Sequence, residues 1–426
     1  MKTFLHPLQN LAEMEAIYTK AKSNRGILEI SGCMESQKAH FIYGLSGLFP
    51  SHLILAEDEK AAKELYEDYR FYDKNVYYYP AKDLLFFQAD IHGNLLIRQR
   101  MCVIKALLEQ KEDITVVTSI DGCMDYLQPL DKIEKQLLHF RNDSTLDMDK
   151  LKDALVHMGY ERVGQVEMPG QFSVRGGIVD IYSLTEENPW RIELWGDEID
   201  SIRTFDSQSQ RSLENLDEIT IYPAVEQPVE KDGVSFLDYF SEENSLVFLD
   251  EPNRLEENAK AVEEEFRQSC ENRQQKGEGN LSQSWMCSWE KLRHKLNDRN
   301  CISVSLMEPK RADWKITEQF NLTVKSVSSY QSSFSLLVKD LKQYKKQGYQ
   351  IVLLSGSRTR AERLAKDLQD EGLSAFYGKD FDHVLEPGVI MVAYGHARRG
   401  FEYPFIKFAV ITETDIFGKE QKKRKK

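Results

Sequence analysis

The side chains that could carry out chemistry begin with a glycine and a lysine that follow an apolar run. Residues 31–39 read SGCMESQKA. The spacing fits the phosphate-binding loop pattern G-x-x-x-x-G-K-[ST] at Gly32 and Lys38, but Gln37 stands at the second glycine and Ala39 at the hydroxyl position. In a working loop the second glycine lets the backbone close on phosphate oxygens, and the hydroxyl holds Mg²⁺. The pattern therefore predicts a phosphate site that has lost its catalytic chemistry.

An acidic pair, Asp250-Glu251, ends the apolar run Leu246 to Leu249 much further along the chain. A buried strand that ends in two carboxylates is the usual partner of such a loop, because it holds Mg²⁺ and orients the attacking water. Together these features favour an ATPase scaffold that keeps its shape without its catalysis. The predicted degenerate nucleotide site consists of Gly32, Gln37, Lys38, Ala39, Asp250 and Glu251.

The alternative is that Gly32 merely ends a strand and that its distance from Lys38 is chance. For the lysine itself we expect a surface or loop position rather than a phosphate contact. In the same way, Asp250 and Glu251 could simply cap the turn after a strand. Among nine histidines and six cysteines no Ser-His-Asp, Cys-His or metal-ligand spacing stands out, so we expect neither a catalytic residue nor a metal site.

The composition points to a multi-domain protein of the cytoplasm. A chain of 426 residues is long enough for roughly two to four domains. No apolar run approaches the ~20 residues that cross a membrane, and the first residues, MKTFLHP, lack the apolar core of a secretory signal. The scattered cysteines form no C-x-x-C pair, which is typical of reduced thiols. A net charge of −13 disfavours non-specific nucleic-acid binding by the chain as a whole, although it leaves room for a local basic patch.

The hydrophobic pattern divides the chain into three predicted domains. Residues 1–128 alternate helix and strand, which indicates a parallel sheet covered by helices, and residues 219–315 complete this first domain. Between them, residues 129–218 show strand alternation and hairpin signals at Gly176-Gly177 and Gly196-Asp197, which predict an inserted antiparallel β-rich (α+β) domain. Residues 325–418 form a small α/β third domain, with helices predicted over 334–347 and 359–369 and strands over 351–355, 389–393 and 408–411. Residues 419–426 are a basic linker, after which we expect the natural protein to continue.

Two segments of the inserted domain carry a specific family resemblance. Residues 170–182 read GQFSVRGGIVDIY, and residues 191–206 read RIELWGDEIDSIRTFD. They resemble the segment shared by two bacterial repair families, the excision-repair protein UvrB and the transcription-repair coupling factors (Mfd). UvrB keeps a working phosphate loop, whereas the N-terminal region of Mfd is a UvrB-like module that has lost its ATPase site. Residues 408–418 also look like the stretch before the RNA-polymerase-binding domain of Mfd.

The resemblance implies a degenerate P-loop NTPase-like sheet domain with the β-rich insert, followed by the small α/β domain. It also implies that the insert binds UvrA. RNA polymerase and double-stranded DNA would be bound through regions beyond residue 426, and ATP and Mg²⁺ would serve motor domains there rather than this chain. No membrane is implied.

Arginines are the candidate UvrA contacts. The insert holds Arg162, Arg175, Arg191, Arg203 and Arg211, and no lysine lies between residues 153 and 211. Guanidinium groups suit two-pronged pairing with carboxylates at protein interfaces. The alternative is that they cover solvated strand faces, and we favour Arg175 and Arg203 as interface residues. Phe172 is expected in the core, while Trp195 could lie in the core or at the interface.

Two other functions stay open. The chain could be a UvrB-type ATPase or helicase fragment that binds nucleotide and damaged DNA at Gly32 to Ala39. It could instead be mainly autoinhibitory, with its docking face masked by the parent's C-terminal part. The basic turn HARRG at residues 396–400 could touch a partner or another domain.

Overall fold

A computed structural model describes residues 1–23, 25–82, 93–109, 113–227, 229, 233–275, 286–308 and 314–418. The predicted basic linker, 419–426, lies outside the described residues. The strands are, in chain order, β1 (Gly26–Ser31), β2 (Ser51–Ala56), β3 (Val76–Tyr79), β4 (Ile114–Ser119), β5 (Tyr126–Leu127), β6 (Leu138–Arg141), β7 (Glu161–Arg162), β8 (Gln171–Arg175), β9 (Ile178–Tyr182), β10 (Trp190–Trp195), β11 (Glu198–Phe205), β12 (Ser212–Leu216), β13 (Glu218–Ile221), β14 (Val234–Ser235), β15 (Ser245–Asp250), β16 (Asn300–Val304), β17 (Ile316–Asn321), β18 (Lys325–Ser326), β19 (Gln350–Ser355), β20 (Ala375–Gly378), β21 (Ile390–Tyr394), β22 (Phe401–Tyr403) and β23 (Phe408–Thr412).

The helices connect and cover these strands. They are α1 (Lys2–Leu8), α2 (Met14–Ser23), α3 (Glu35–Leu45), α4 (Glu59–Tyr69), α5 (Gly93–Leu108), α6 (Ile120–Met124), α7 (Leu130–Glu134), α8 (Met148–His157), α9 (Pro252–Gln275), α10 (Trp289–Asn297), α11 (Phe334–Gln347), α12 (Arg358–Asp370) and α13 (Glu413–Phe417), with short 3₁₀ turns at Ser46–Leu48 and Phe236–Tyr239.

Seven parallel strands form the first sheet, in the order β17-β1-β16-β15-β2-β4-β3. Every residue of β1, β4, β15 and β16 is buried, as expected where helices cover both faces of a parallel sheet. The predicted α/β class is therefore confirmed. Strands from both sides of the insert interleave here, so β1 lies directly between β16 and β17.

The insert contains a six-stranded sheet in the order β12-β11-β10-β9-β8-β7, antiparallel except for the pair β7–β8. Two-residue turns connect β8 to β9 and β10 to β11, and each begins with a glycine in the left-handed region, Gly176 at φ 60° and Gly196 at φ 63°. Helix α8 packs against one face through Leu151 and Leu155, which meet Phe172 and neighbouring apolar side chains. The opposite face carries polar residues, and the segment before β8 contacts it, with Ser173 Oγ donating to Gly164 O at 2.9 Å and the Met168 backbone N–H donating to Gln171 Oε1 at 3.1 Å.

The third domain has a sheet in the order β18-β22-β23-β19-β21-β20. Its strands β23, β19, β21 and β20 run parallel, and β22 and β18 add antiparallel partners at one edge. The pattern predicted α11, β19, α12, β21 and β23, whereas β18, β20 and β22 were not predicted.

The first and third domains share one hydrophobic core. This cluster joins Leu28 and Ile54 of the first sheet to Val352 and Phe408 of the third. The N-terminal helix α1 lies between the two, with the Thr3 backbone N–H donating to Phe381 O at 2.9 Å. The third domain is therefore packed against the first domain in this structure.

Candidate functional site

Lys38 lies at the centre of the predicted nucleotide site, in the first turns of α3. Its side chain is 1% exposed, and its Nζ donates to Asp250 Oδ1 at 2.6 Å and to Glu251 Oε1 at 2.7 Å. The prediction of a surface or loop lysine is wrong. The reason is a pair of carboxylates at the end of β15, Asp250 in the strand and Glu251 directly after it, which makes burial of the ammonium tolerable.

The charge on Lys38 is set by its neighbours. Burial opposes the charge, but the carboxylates of Asp250, Glu35 and Glu251 outweigh burial and hold the pKa of Lys38 above its ordinary value. The ammonium is therefore charged at neutral pH and is already fully engaged with anions. An incoming phosphate would compete with two carboxylates for one cation.

The backbone of the loop is also engaged. The N–H groups of Gly32 and Cys33 donate to Leu306 O at 3.2 Å and Ser305 O at 2.9 Å, in the segment that follows β16. These are the kind of donors that a working loop points at phosphate. Gly32 has φ 78°, and a Cβ added there would lie 2.0 Å from Leu322 O. The glycine is thus required by close backbone packing, whatever its ancestral role.

Gln37, which stands at the second glycine position, faces the third domain. Its side chain is fully buried, and Nε2 donates to Tyr403 Oη at 2.7 Å. His40, one turn later, has Nδ1 at 3.2 Å from the same hydroxyl and Nε2 at 2.9 Å from Phe4 O. Ala39 is buried as well. The helix that would begin a nucleotide site is therefore part of an interface between domains.

The basic turn at residues 396–400 contributes to this interface. Arg398 Nε donates to Asp68 Oδ2 at 2.8 Å, and its other guanidinium nitrogens pair with Glu64 on α4. Of the two options left open from the sequence, the structure shows contact with another domain. Among the described residues no group of His, Cys, Asp and Glu side chains is arranged to hold a metal ion.

On the insert, two of the predicted arginines share one carboxylate. Arg175 Nη2 lies 2.6 Å from Asp180 Oδ2, and Arg191 Nε lies 2.7 Å from Asp180 Oδ1. Asp180 is fully buried on β9, while the Arg175 side chain remains 48% exposed. Arg191 also lies 4.3 Å above the Phe205 ring. Arg191 is thus mainly structural, and Arg175 keeps much of its guanidinium at the surface.

The other three arginines are distributed over the same sheet. Arg203 pairs opposite Arg191 in the register of β10 and β11, and its Nη1 donates to Glu193 Oε2 at 3.1 Å. Arg162 and Arg211 are exposed, at the edge strand β7 and just before the other edge strand β12. The structure therefore brings Arg175, Arg191 and Arg203 onto one sheet face, which we call the arginine face.

Trp195 is the residue that sequence reasoning left undecided. It is 83% exposed at the end of β10, directly before the turn at Gly196. Alternation along β10 places it on the same face as Arg191 and Glu193, and an exposed tryptophan on a face that carries arginines is typical of an interface anchor. Phe172, by contrast, is fully buried in the core of the insert, as expected.

Comparison with known proteins defines the class first. Residues 138–226 match the UvrB interaction domain, a range that includes the whole six-stranded sheet with its arginine face and Trp195. The insert is therefore similar to a UvrB interaction domain.

The wider similarity is to transcription-repair coupling factors. The chain is 28% identical to that of Bacillus subtilis (strain 168) over 470 aligned positions, which cover 93% of this chain and 40% of the relative. It is 25% identical to the transcription-repair coupling factor of Staphylococcus haemolyticus, and the alignment covers 82% of this chain and 34% of the relative. The resemblance predicted from the sequence is confirmed, since the chain is similar to the transcription-repair coupling factors over most of its length. It spans two fifths or less of the length of these relatives.

No helix in the described ranges is both long and apolar enough to span a bilayer.

Proposed function

We propose that this chain is a non-catalytic recruitment module, which brings the UvrA excision-repair machinery to RNA polymerase stalled at DNA damage in the cytoplasm. The docking face is the side of the six-stranded sheet that carries Arg175, Arg191, Arg203 and Trp195. In the proposed parent protein, polymerase and double-stranded DNA are bound elsewhere, and ATP with Mg²⁺ drives displacement of the polymerase there. Masking of the docking face by another part of the parent would regulate recruitment.

The observation that carries the proposal is the combination of Trp195 with the arginine face. Trp195 offers a large apolar surface, and the half-exposed Arg175 offers hydrogen-bond donors on the same sheet face. Tryptophan and arginine dominate the energetics of protein interfaces. Asp180, buried beneath Arg175 and Arg191, holds the two guanidinium groups in place, so little side-chain entropy is lost on docking.

The absence of catalysis in this chain is supported by the contacts around the degenerate loop. Lys38 is paired with Asp250 and Glu251, the loop N–H groups of Gly32 and Cys33 are occupied, and Ala39 has no oxygen for Mg²⁺. The retained acidic pair is the feature that favours the second candidate, a UvrB-type ATPase or helicase fragment. In this structure, however, that pair neutralises Lys38.

The test is a titration of UvrA with the whole chain and with two variants of matched melting temperature, Trp195→Ala and Arg175→Ala. We expect each variant to weaken the complex by about 2 kcal/mol, as for an interface hot spot. Val156→Ala is the control, because Val156 is exposed on α8 and α8 covers the other face of the sheet. Wild-type affinity in both variants would remove this face from the site.

A parallel calorimetric titration with MgATP separates the two candidate functions. The recruitment module should show no binding up to millimolar nucleotide. Saturable, Mg²⁺-dependent binding in the micromolar range would favour the UvrB-type enzyme instead.

A further inference from the structure

The exposed side of α11 in the third domain borders a cleft of about 650 Å³ that no contact described above uses. Leu337, Val338 and Leu341 fix the helix to the domain core. The other stripe of α11 forms one wall of the cleft, and Glu371, which follows α12, lies on the opposite side. The cleft is distant in sequence from the UvrA-docking face and belongs to a different domain.

Three lysines line this cleft, Lys339, Lys342 and Lys346. Spacings of three and four residues place them on one face of the helix. Lys342 lies 3.5 Å from a carboxylate oxygen of Glu371, while Lys339 and Lys346 have no ion pair among the residues that the structure describes. Three cations thus face one carboxylate, in a chain that has 69 acidic and 56 basic residues overall. The cleft reverses the charge balance of the protein around it.

The cleft also has an apolar part. Phe334 and Val338, one helical turn apart, contribute to its lining, and Phe334 is 38% exposed although it is aromatic. A nucleic-acid backbone would use the lysines but would gain nothing from this apolar surface, and the net charge of −13 repels polyanions. An acidic peptide with apolar side chains complements both parts, since carboxylates meet the lysines and an apolar anchor meets Phe334.

We propose that this cleft is a second docking site, which takes an acidic amphipathic segment of a partner protein. The apolar side chains of the segment lie against Phe334 and Val338, and its carboxylates pair with Lys339, Lys342 and Lys346. Exposed charge pairs steer the encounter and select the partner, while the apolar contact supplies most of the affinity. The third domain would then have a binding role of its own, independent of UvrA recruitment.

The experiment uses the whole chain and a set of fluorescein-labelled helical peptides. Every peptide has glutamates at helical spacing, and the peptides differ in where a leucine or phenylalanine lies relative to these glutamates. Fluorescence anisotropy should show saturable binding of at least one peptide, weakened by salt. Its counterpart with glutamine at every glutamate should bind about tenfold more weakly or not at all. A labelled duplex oligonucleotide is the competing probe.

Matched variants locate the binding. Lys339→Glu/Lys346→Glu should lower the affinity about tenfold or more, and Phe334→Ser should lower it by a similar factor, as expected for contact residues. Lys63→Glu/Lys366→Glu is the control, because it makes the same charge change at two exposed lysines outside the cleft. No saturable binding of any acidic peptide, an equal loss in the control, or tighter binding of the oligonucleotide through the same lysines would each overturn the proposal.

Discussion

Gln37 on α3 donates a 2.7 Å hydrogen bond to the hydroxyl of Tyr403 on β22, which lies 366 residues further along the chain. Gln37 stands where a phosphate-binding loop has its second glycine, so the position that would close on a nucleotide instead contacts a neighbouring domain. The same hydroxyl lies 3.2 Å from His40 Nδ1. One side of the predicted nucleotide site is therefore an intramolecular interface.

Removing this hydroxyl should loosen the interface. Tyr403→Phe leaves the Gln37 amide and the His40 ring without their common partner, in a place that water does not reach, so we expect a loss of about 1–3 kcal/mol in unfolding free energy. Urea unfolding of the whole chain measures it. Gln37→Leu combined with Tyr403→Phe should recover part of the loss, because the buried amide is then gone as well. If the unfolding free energy lost in the double variant equals the sum of the losses in Gln37→Leu and Tyr403→Phe, the two side chains do not interact.

Replacing Lys38 should test the buried ion pair. Lys38→Met leaves the Asp250 carboxylate buried without its cation, and we expect a loss of roughly 3–5 kcal/mol. Lys260→Met removes an exposed partner of Glu256 and should cost less than about 1 kcal/mol. Urea unfolding of both variants beside the wild type gives the comparison. Similar small losses in the two variants would mean that Lys38 contributes nothing as a buried cation.

Gly32 should tolerate no side chain. Its φ of 78° and a Cβ position 2.0 Å from Leu322 O mean that Gly32→Ala must displace backbone, for which we expect a loss of at least about 2 kcal/mol. Gly47→Ala is the matched control, because nothing lies within 4 Å of the added methyl group. Thermal unfolding of the two variants should separate them clearly, and equal melting temperatures would contradict the packing described here.

The domain interface should be sensitive to acid. Burial lowers the pKa of His40 to about 4, although its hydrogen bond to Phe4 O opposes the shift. Because this value lies below the ~6.5 of an unfolded chain, the contribution of His40 is complete above pH 6.5 and is lost as the pH falls toward 4. The loss across this window is about 3 kcal/mol, and His52, whose pKa burial also lowers to about 4, adds to it.

Unfolding free energies measured from pH 7.5 to pH 4.5 give the proton uptake directly. His40→Gln should reduce the slope by about one proton in this window. His294→Gln is the control, because it makes the same substitution at an exposed position of α10. A slope in His40→Gln equal to that of the wild type would show that His40 does not take up a proton on unfolding.

Local chemistry made much of the fold predictable. The hydrophobic pattern predicted α11 from Phe334 to Gln347. The turns at Gly176 and Gly196 follow from the ability of glycine to adopt a positive φ. The phosphate-loop pattern placed Lys38 and Asp250 in one site although they are 212 residues apart, but it did not predict that Lys38 is buried against this carboxylate.

The arginine face was predictable in part. The sequence identified the five arginines, and whether they contact UvrA stays a prediction. Their arrangement depends on Asp180, which the sequence analysis did not select. A signal was present, since an aspartate within the apolar strand Ile178–Tyr182 needs a cation if that strand is buried.

The insert enters and leaves the first domain through neighbouring strands. Leu138 at the start of β6 pairs with Ile221 at the end of β13, so the two ends of the insert lie side by side. The remainder of the chain therefore spans the same short gap whether the insert is present or absent, and loop length costs little once the ends are fixed. The insert is therefore exchangeable in principle. A longer, shorter or foreign recognition domain could replace it between these two strands, and the seven-stranded sheet would keep its structure.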